Sequence, residues 1–270
     1  MRVTSAGTAA FALTLIGLGI LGFIRGDFSP IWQPVWKGLP GRELLAYLCA
    51  LVCVASGLGL LSRRVAAPAA RLLLGCLLLW LLVFKAPTVV RAPADAASWE
   101  SCGETVVLVS AAWVLYAWFV GAVHPRRLAF ASGERGVRIA RVFYGLAMLA
   151  FGVAHLAYVK FTASLVPAWL PSHVAWVYFT GYAYLAAGAA VLIGVCARLA
   201  AALSTLQMGL FTLLVWAPVL AAGSKDPSAW SEGILSWVLT AAGWVVADSY
   251  RGKPWLALGT SPAPRAAGAP

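Results

Sequence analysis

The sequence predicts an all-α integral membrane protein: eight transmembrane helices arranged as two parallel-oriented four-helix bundle repeats. Three observations predict it. First, apolar residues make up 62% of the 270-residue chain and charged residues only 11%, against about 25% charged in ordinary soluble domains. Such a chain lacks the polar groups to cover a water-facing surface, and a bilayer removes that need. Second, eight apolar segments follow one another, at approximately 8–25, 43–62, 70–90, 103–121, 139–158, 174–195, 199–220 and 233–248. Most reach the 17–25 or so residues that a helix needs to cross about 30 Å of hydrocarbon. Third, the chain repeats itself. Leu39-Pro40, Tyr47, Gly57, Leu61, Ala86-Pro87, Asp95, Trp99 and Trp113 recur as Leu170-Pro171, Tyr178, Gly188, Leu192, Ala217-Pro218, Asp226, Trp230 and Trp244, 131 residues later. Gly17, Leu18, Leu21 and Phe23 recur as Gly145, Leu146, Leu149 and Phe151 at an offset of 128. Strands are disfavoured because no segment alternates with period two.

Each element follows from local residues. The first segment comes after Arg2 and resembles a secretion signal. Its counterpart at 139–158 is internal, however, and Arg25-Gly26-Asp27 follows it instead of a small-x-small cleavage site, so it is expected to stay as a helix. Lys85 and Pro87 stand at the exit of the third segment, where a lysine snorkels to the interface. Asp95 and Asp226 precede the fourth and eighth segments, as helix caps do. Gly22 with Gly26, and Ala183 with Ala187, are small residues at helical spacing that allow helices to approach closely.

Charge orients the assembly. Eight crossings place both termini on one side. That side collects 13 of the 20 basic residues and only Glu134 and Asp248 among the nine acids, so the whole net charge of +11 lies there. The positive-inside rule makes it cytoplasmic, at a bacterial inner membrane. The expected organisation is a first repeat over 1–121, a basic linker over 122–137, a second repeat over 138–250 and a Pro/Ala-rich tail over 251–270. Two even-numbered repeats share one orientation and are related by a pseudo-two-fold axis along the membrane normal. Anionic lipid attracts the basic face, and no nucleic-acid motif accompanies the arginines. Trp32, Trp36, Trp99, Trp169, Trp176, Trp216 and Trp230 read as an aromatic belt at the opposite interface. Cys49, Cys53, Cys76, Cys102 and Cys196 form no CxxC and no metal-type spacing, so no metal site is expected.

Few residues carry candidate chemistry. His155 near the outer end of its helix, Lys160 beyond it, and Tyr182 and Tyr184 on the next helix outline a ligand pocket. In that reading His155 carries a proton or holds a carbonyl or anionic ligand; in the simpler one it is satisfied by a neighbouring hydroxyl. Asp27 occupies the position aligned with His155 in the first repeat, and reads either as its partner or as a solvated turn. Arg141 and Asp248 are candidates for a structural ion pair between the fifth and eighth helices. There is no G-x-S-x-G, H-E-x-x-H, Walker loop or dinucleotide fingerprint.

Arg141-x-x-x-Gly145, Phe151-Gly152 with His155, Val166-Pro167-x-x-Leu170-Pro171, Thr180-Gly181 leading to Gly188, Ala217-Pro218 and Trp230 with Trp244 resemble the DoxX/DoxD-like membrane family of four-helix units. The resemblance covers 138–250 well, and 8–120 chiefly through the internal repeat. It implies a membrane subunit of a quinone-linked redox system, working with a redox protein partner. The chain departs from the family where a glutamate often follows the Thr-Gly pair: Tyr184 stands there, and Cys53 in the first repeat. Two other classes remain open, a small-solute transporter at the repeat interface and a non-catalytic assembly protein.

Overall fold

The computed structural model describes residues 5–28, 33, 35–120 and 130–258. Most of the expected linker lies outside them, with Arg126 and Arg127, as do Trp32 and residues 259–270 of the tail. Among the described residues the chain is helical. The segments are α1 (Ala6–Arg25), α2 (Arg42–Leu61), α3 (Ala66–Trp80), α4 (Ala86–Arg91), α5 (Ala96–Val120), α6 (Gly133–Ala157), α7 (Val159–Leu165), α8 (His173–Ile193), α9 (Ala197–Phe211), α10 (Ala217–Ala221) and α11 (Pro227–Asp248). A π-helical turn, Leu81–Lys85, joins α3 to α4, and another, Thr212–Trp216, joins α9 to α10. Seven of the resulting rods are long and apolar enough to cross a membrane. This is an all-α membrane architecture.

The eighth rod, α11, is 22 residues long and is packed by α1, α5 and α9. A helix walled in by protein has little lipid to satisfy, so its sequence need not be as hydropathic as its neighbours'. Helix α5 shows the same enclosure, buried along most of its length. Leu13, Ile24, Leu44, Leu79, Leu82 and Leu213 on the peripheral helices are instead exposed, as lipid-facing side chains are.

The π turns have a local cause. Pro87 and Pro218 lack the N–H that would continue an α-helix, and their rings crowd the carbonyl four residues back. Each rod widens by one residue before its proline: Ala86 N–H bonds Leu81 O, and Ala217 N–H bonds Thr212 O, five residues away. The two turns stand 131 residues apart, the offset of the sequence repeat. The caps match in the same way. Asp95 accepts from the backbone of Ala97 and Ser98, and Asp226 from Ser228, as expected of caps. The Trp99 indole then donates to Pro93 O at 2.9 Å, and that of Trp230 to Ser224 O at 2.8 Å.

Close helix approach is bought by glycine at corresponding places. A Cβ on Gly57 would stand 2.6 Å from Ala12 O, and one on Gly188 2.7 Å from Gly145 O, so α1 meets α2 and α6 meets α8 backbone to backbone. Gly22 likewise seats Ala50, whereas Gly26 serves as a left-handed helix cap at φ 63°.

The halves interlock. Helix α6 runs along α5, α1 packs on α11, and α5 packs on α11. Among the described residues, the first helix of each half therefore leans on the last helix of the other half more than on its own. Asp95, between α4 and α5, adds a tie at the helix ends, accepting from Tyr158 Oη at 2.5 Å and from Ser98 Oγ at 2.9 Å. These bonds hold the Asp95 carboxyl below its usual range and raise the Tyr158 phenol. A depressed acid contributes its stabilisation above its unfolded value, about 3.9, and loses it as pH falls through the folded value. Acidification past that range, and Tyr158→Phe at neutral pH, are expected to speed amide exchange of α7 alike. Exchange in α7 indifferent to both would remove the tie.

Candidate functional site

Sequence reasoning put Lys85 at the outer interface. The structure buries it completely, at 0% exposure. The widened turn before Pro87 turns this side chain toward α5, where Nζ donates to Ser101 Oγ at 2.7 Å and stands 3.9 Å from Glu104 Oε2. Glu104 is 14% exposed, and its Oε2 accepts no hydrogen bond. Glu104 also lies close enough to Glu100 and Glu232 for their charges to interact, and Glu100 and Glu232 are similarly close to each other. Glu100 and Glu104 stand on one face of α5, and Glu232 comes from α11. Glu104 is eight residues into α5, roughly 12 Å below its start at about 1.5 Å per residue. One buried ammonium and one largely buried carboxyl group thus stand together inside the bundle, and α5 and α11, which carry Glu100 and Glu232, pack on each other. Charged groups at such depth are costly and tend to face a bundle interior or a wet cavity.

The pocket outlined by sequence is only half assembled. His155, in the last turn of α6, does meet Tyr184: ring centroids are 5.4 Å apart, edge to face, and Phe211 stacks on the other side at 5.8 Å. The imidazole's first partner is the Phe151 carbonyl, which lies 2.9 Å from Nδ1 in its own helix, rather than a tyrosine hydroxyl. Tyr184 is buried in the core, but Tyr182 is 60% exposed and stacks on Tyr178 along the outside of α8. Tyr182 does not line a cavity with His155, because adjacent even positions on a helix point apart. Lys160, on α7, is exposed. Asp27 pairs with Arg42 and borders a crevice of about 50 Å³ with Arg25, Gln33 and Ser231. Its partner is thus Arg42 at the start of α2, which supports the reading of a solvated turn.

Arg141 ties α6 to the end of α11, and Asp248 ties α11 to the start of α1. Asp248 binds Arg251 at 2.8 Å and accepts from Gly7 N–H at 3.3 Å. Arg141 reaches one and two residues further, donating to Ser249 Oγ at 2.9 Å and stacking over the Tyr250 ring at 3.9 Å. Burial pushes the Tyr250 phenol up to about 12, which keeps that ring neutral beneath the cation. All five cysteines are free thiols. Among the described residues no group of three histidine, cysteine or acidic side chains is gathered to hold a metal ion.

The fold and this buried centre define a polytopic membrane protein with a charged site inside its helix bundle. Residues 144–245 are similar to a domain of unknown function, DUF8561. That stretch contains His155, Tyr184 and Glu232 but begins beyond Lys85, Glu100 and Glu104. No curated protein and no solved structure matches the chain.

Proposed function

We propose that the protein is an eight-span cation carrier whose binding site is the lysine–carboxyl centre between its two halves. In this reading the halves are tandem repeats of one orientation, with the basic end in the cytoplasm of a bacterial inner membrane. The matching π turns, caps and glycine contacts support the duplication, and the charge asymmetry supports the orientation. The observation that carries the functional reading is Lys85, wholly buried, beside a Glu104 oxygen that accepts no hydrogen bond. One ammonium among three carboxyl groups leaves negative charge uncompensated if all ionise. In a membrane interior that imbalance must be met by protons or by a bound cation. A carboxyl oxygen that accepts no hydrogen bond beside an ammonium suits a proton or a small organic cation as the solute.

Proteoliposomes on a solid-supported membrane test this. Concentration jumps of small amines, with and without a pH gradient, are expected to give currents in the wild type that Glu104→Gln abolishes. Currents unchanged by Glu104→Gln would refute the assignment.

A second reading keeps the DoxX-like role, a subunit passing electrons to quinone beside His155. The aromatic enclosure of His155 by Tyr184 and Phe211 favours it, because flat rings suit a quinone. Quinone binding that disappears in His155→Ala, with no amine current in the wild type, would select this reading over the carrier.

A further inference from the structure

We propose that the groove between the start of α9 and the end of α11 binds one anionic phospholipid, with its phosphate between Arg198 and Arg251. The groove encloses about 300 Å³ and is walled by Ala202, Leu206, Trp244 and Trp255. Its rim is charged and held in place. Arg198 stacks on the Trp255 ring at 3.9 Å and donates to Lys253 O at 2.7 Å. The segment carrying Trp255 is itself fixed, because Ala257 O accepts from Cys196 N–H at 2.7 Å and Leu258 bridges Val195.

Charge selects the occupant. Arg251 bonds the buried Asp248 carboxylate, which also accepts from Gly7. Two guanidinium groups against one carboxylate leave the rim with a single positive charge, the complement of a phosphodiester. Below the rim the walls are alanine, leucine and tryptophan, which suit an acyl chain. Arginines at the helix ends stand at the depth of lipid headgroups.

The described counterparts in the first half are packed differently. The counterpart of Trp244 is Trp113, whose indole donates to Ala131 O at 2.9 Å and whose ring stacks on Phe143. Tyr116, Ala117 and Val120 beside it are buried. The counterparts of Arg198 and Arg251 are Ala67 and Val120. The pair of arginines that rims the groove is thus particular to the second half, as a site for an anion requires.

The test titrates the detergent-purified full chain, followed by tryptophan fluorescence, with phosphatidylglycerol, phosphatidylcholine and inorganic phosphate. Phosphatidylglycerol is expected to bind the most tightly, and Arg198→Gln and Arg251→Gln each to weaken it about fivefold. Ala202→Trp is expected to abolish binding with both arginines intact, so the decision survives if an arginine variant fails to fold. Equal binding of the two lipids, inorganic phosphate binding as tightly as phosphatidylglycerol, or variants indistinguishable from wild type would overturn the proposal.

Discussion

Lys85→Met is expected to destabilise the protein by about 3–5 kcal/mol, because it leaves the Glu104 carboxylate buried and without its cation. The ammonium now stands between Ser101 Oγ and Glu104 Oε2, with no exposed surface of its own. Glu104→Gln is expected to cost less, since Lys85 keeps its bond to Ser101. The double variant Lys85→Met/Glu104→Leu should recover most of the loss, as apolar replacements of buried ion pairs commonly do. Unfolding in mixed micelles of the two singles and the double closes the thermodynamic cycle. A neutral Lys85→Met would mean that water reaches the site and the pair does not rest on mutual compensation. Recovery of stability without recovery of transport would separate a pair kept for function from one kept for folding.

Gly188→Leu is the second large effect, expected to cost about 3 kcal/mol through overpacking. A Cβ there already stands 2.7 Å from Gly145 O and 2.9 Å from Leu149, so α6 and α8 must separate to admit a side chain. Gly57→Leu, its counterpart in the first half, meets Ala12 O at 2.6 Å and is expected to behave the same way. Gly75→Leu is the control: nothing lies within 4 Å of its Cβ position, and loss of a helical glycine should leave stability unchanged or slightly raised. Thermal unfolding in one detergent compares the three. Equal stability of Gly188→Leu and Gly75→Leu would remove the backbone contact from the account.

The helices were legible in the sequence because the bilayer imposes length and apolarity on every span, and both can be counted residue by residue. The caps at Asp95 and Asp226 were legible because capping is local. The buried centre was not, for two reasons. The widened turn that aims Lys85 inward depends on how the backbone accommodates Pro87, and proximity to a helix exit suggested snorkelling instead. The approach of Glu232 to Glu100 and Glu104 depends on α5 packing against α11, across 132 and 128 positions of the sequence. A signal was present nonetheless: Glu100 and Glu104 are four apart in an apolar helix, and both would otherwise face lipid or core. His155 and Tyr184 were found because they lie on sequential helices of one half. Arg141 reached the end of α11, at Ser249 and Tyr250, while Asp248 also pairs with Arg251, three residues along the chain.

In the proposed carrier, the Glu104 carboxyl beside Lys85 exchanges its charge with a proton or bound cation inside the membrane. Infrared difference spectroscopy of the protein in bilayers measures this directly, by stepping pH and then amine concentration over one sample. A carboxylic C=O difference band is expected in the wild type, lost in Glu104→Gln and altered in Lys85→Met. Identical difference spectra for wild type and Glu104→Gln would contradict it.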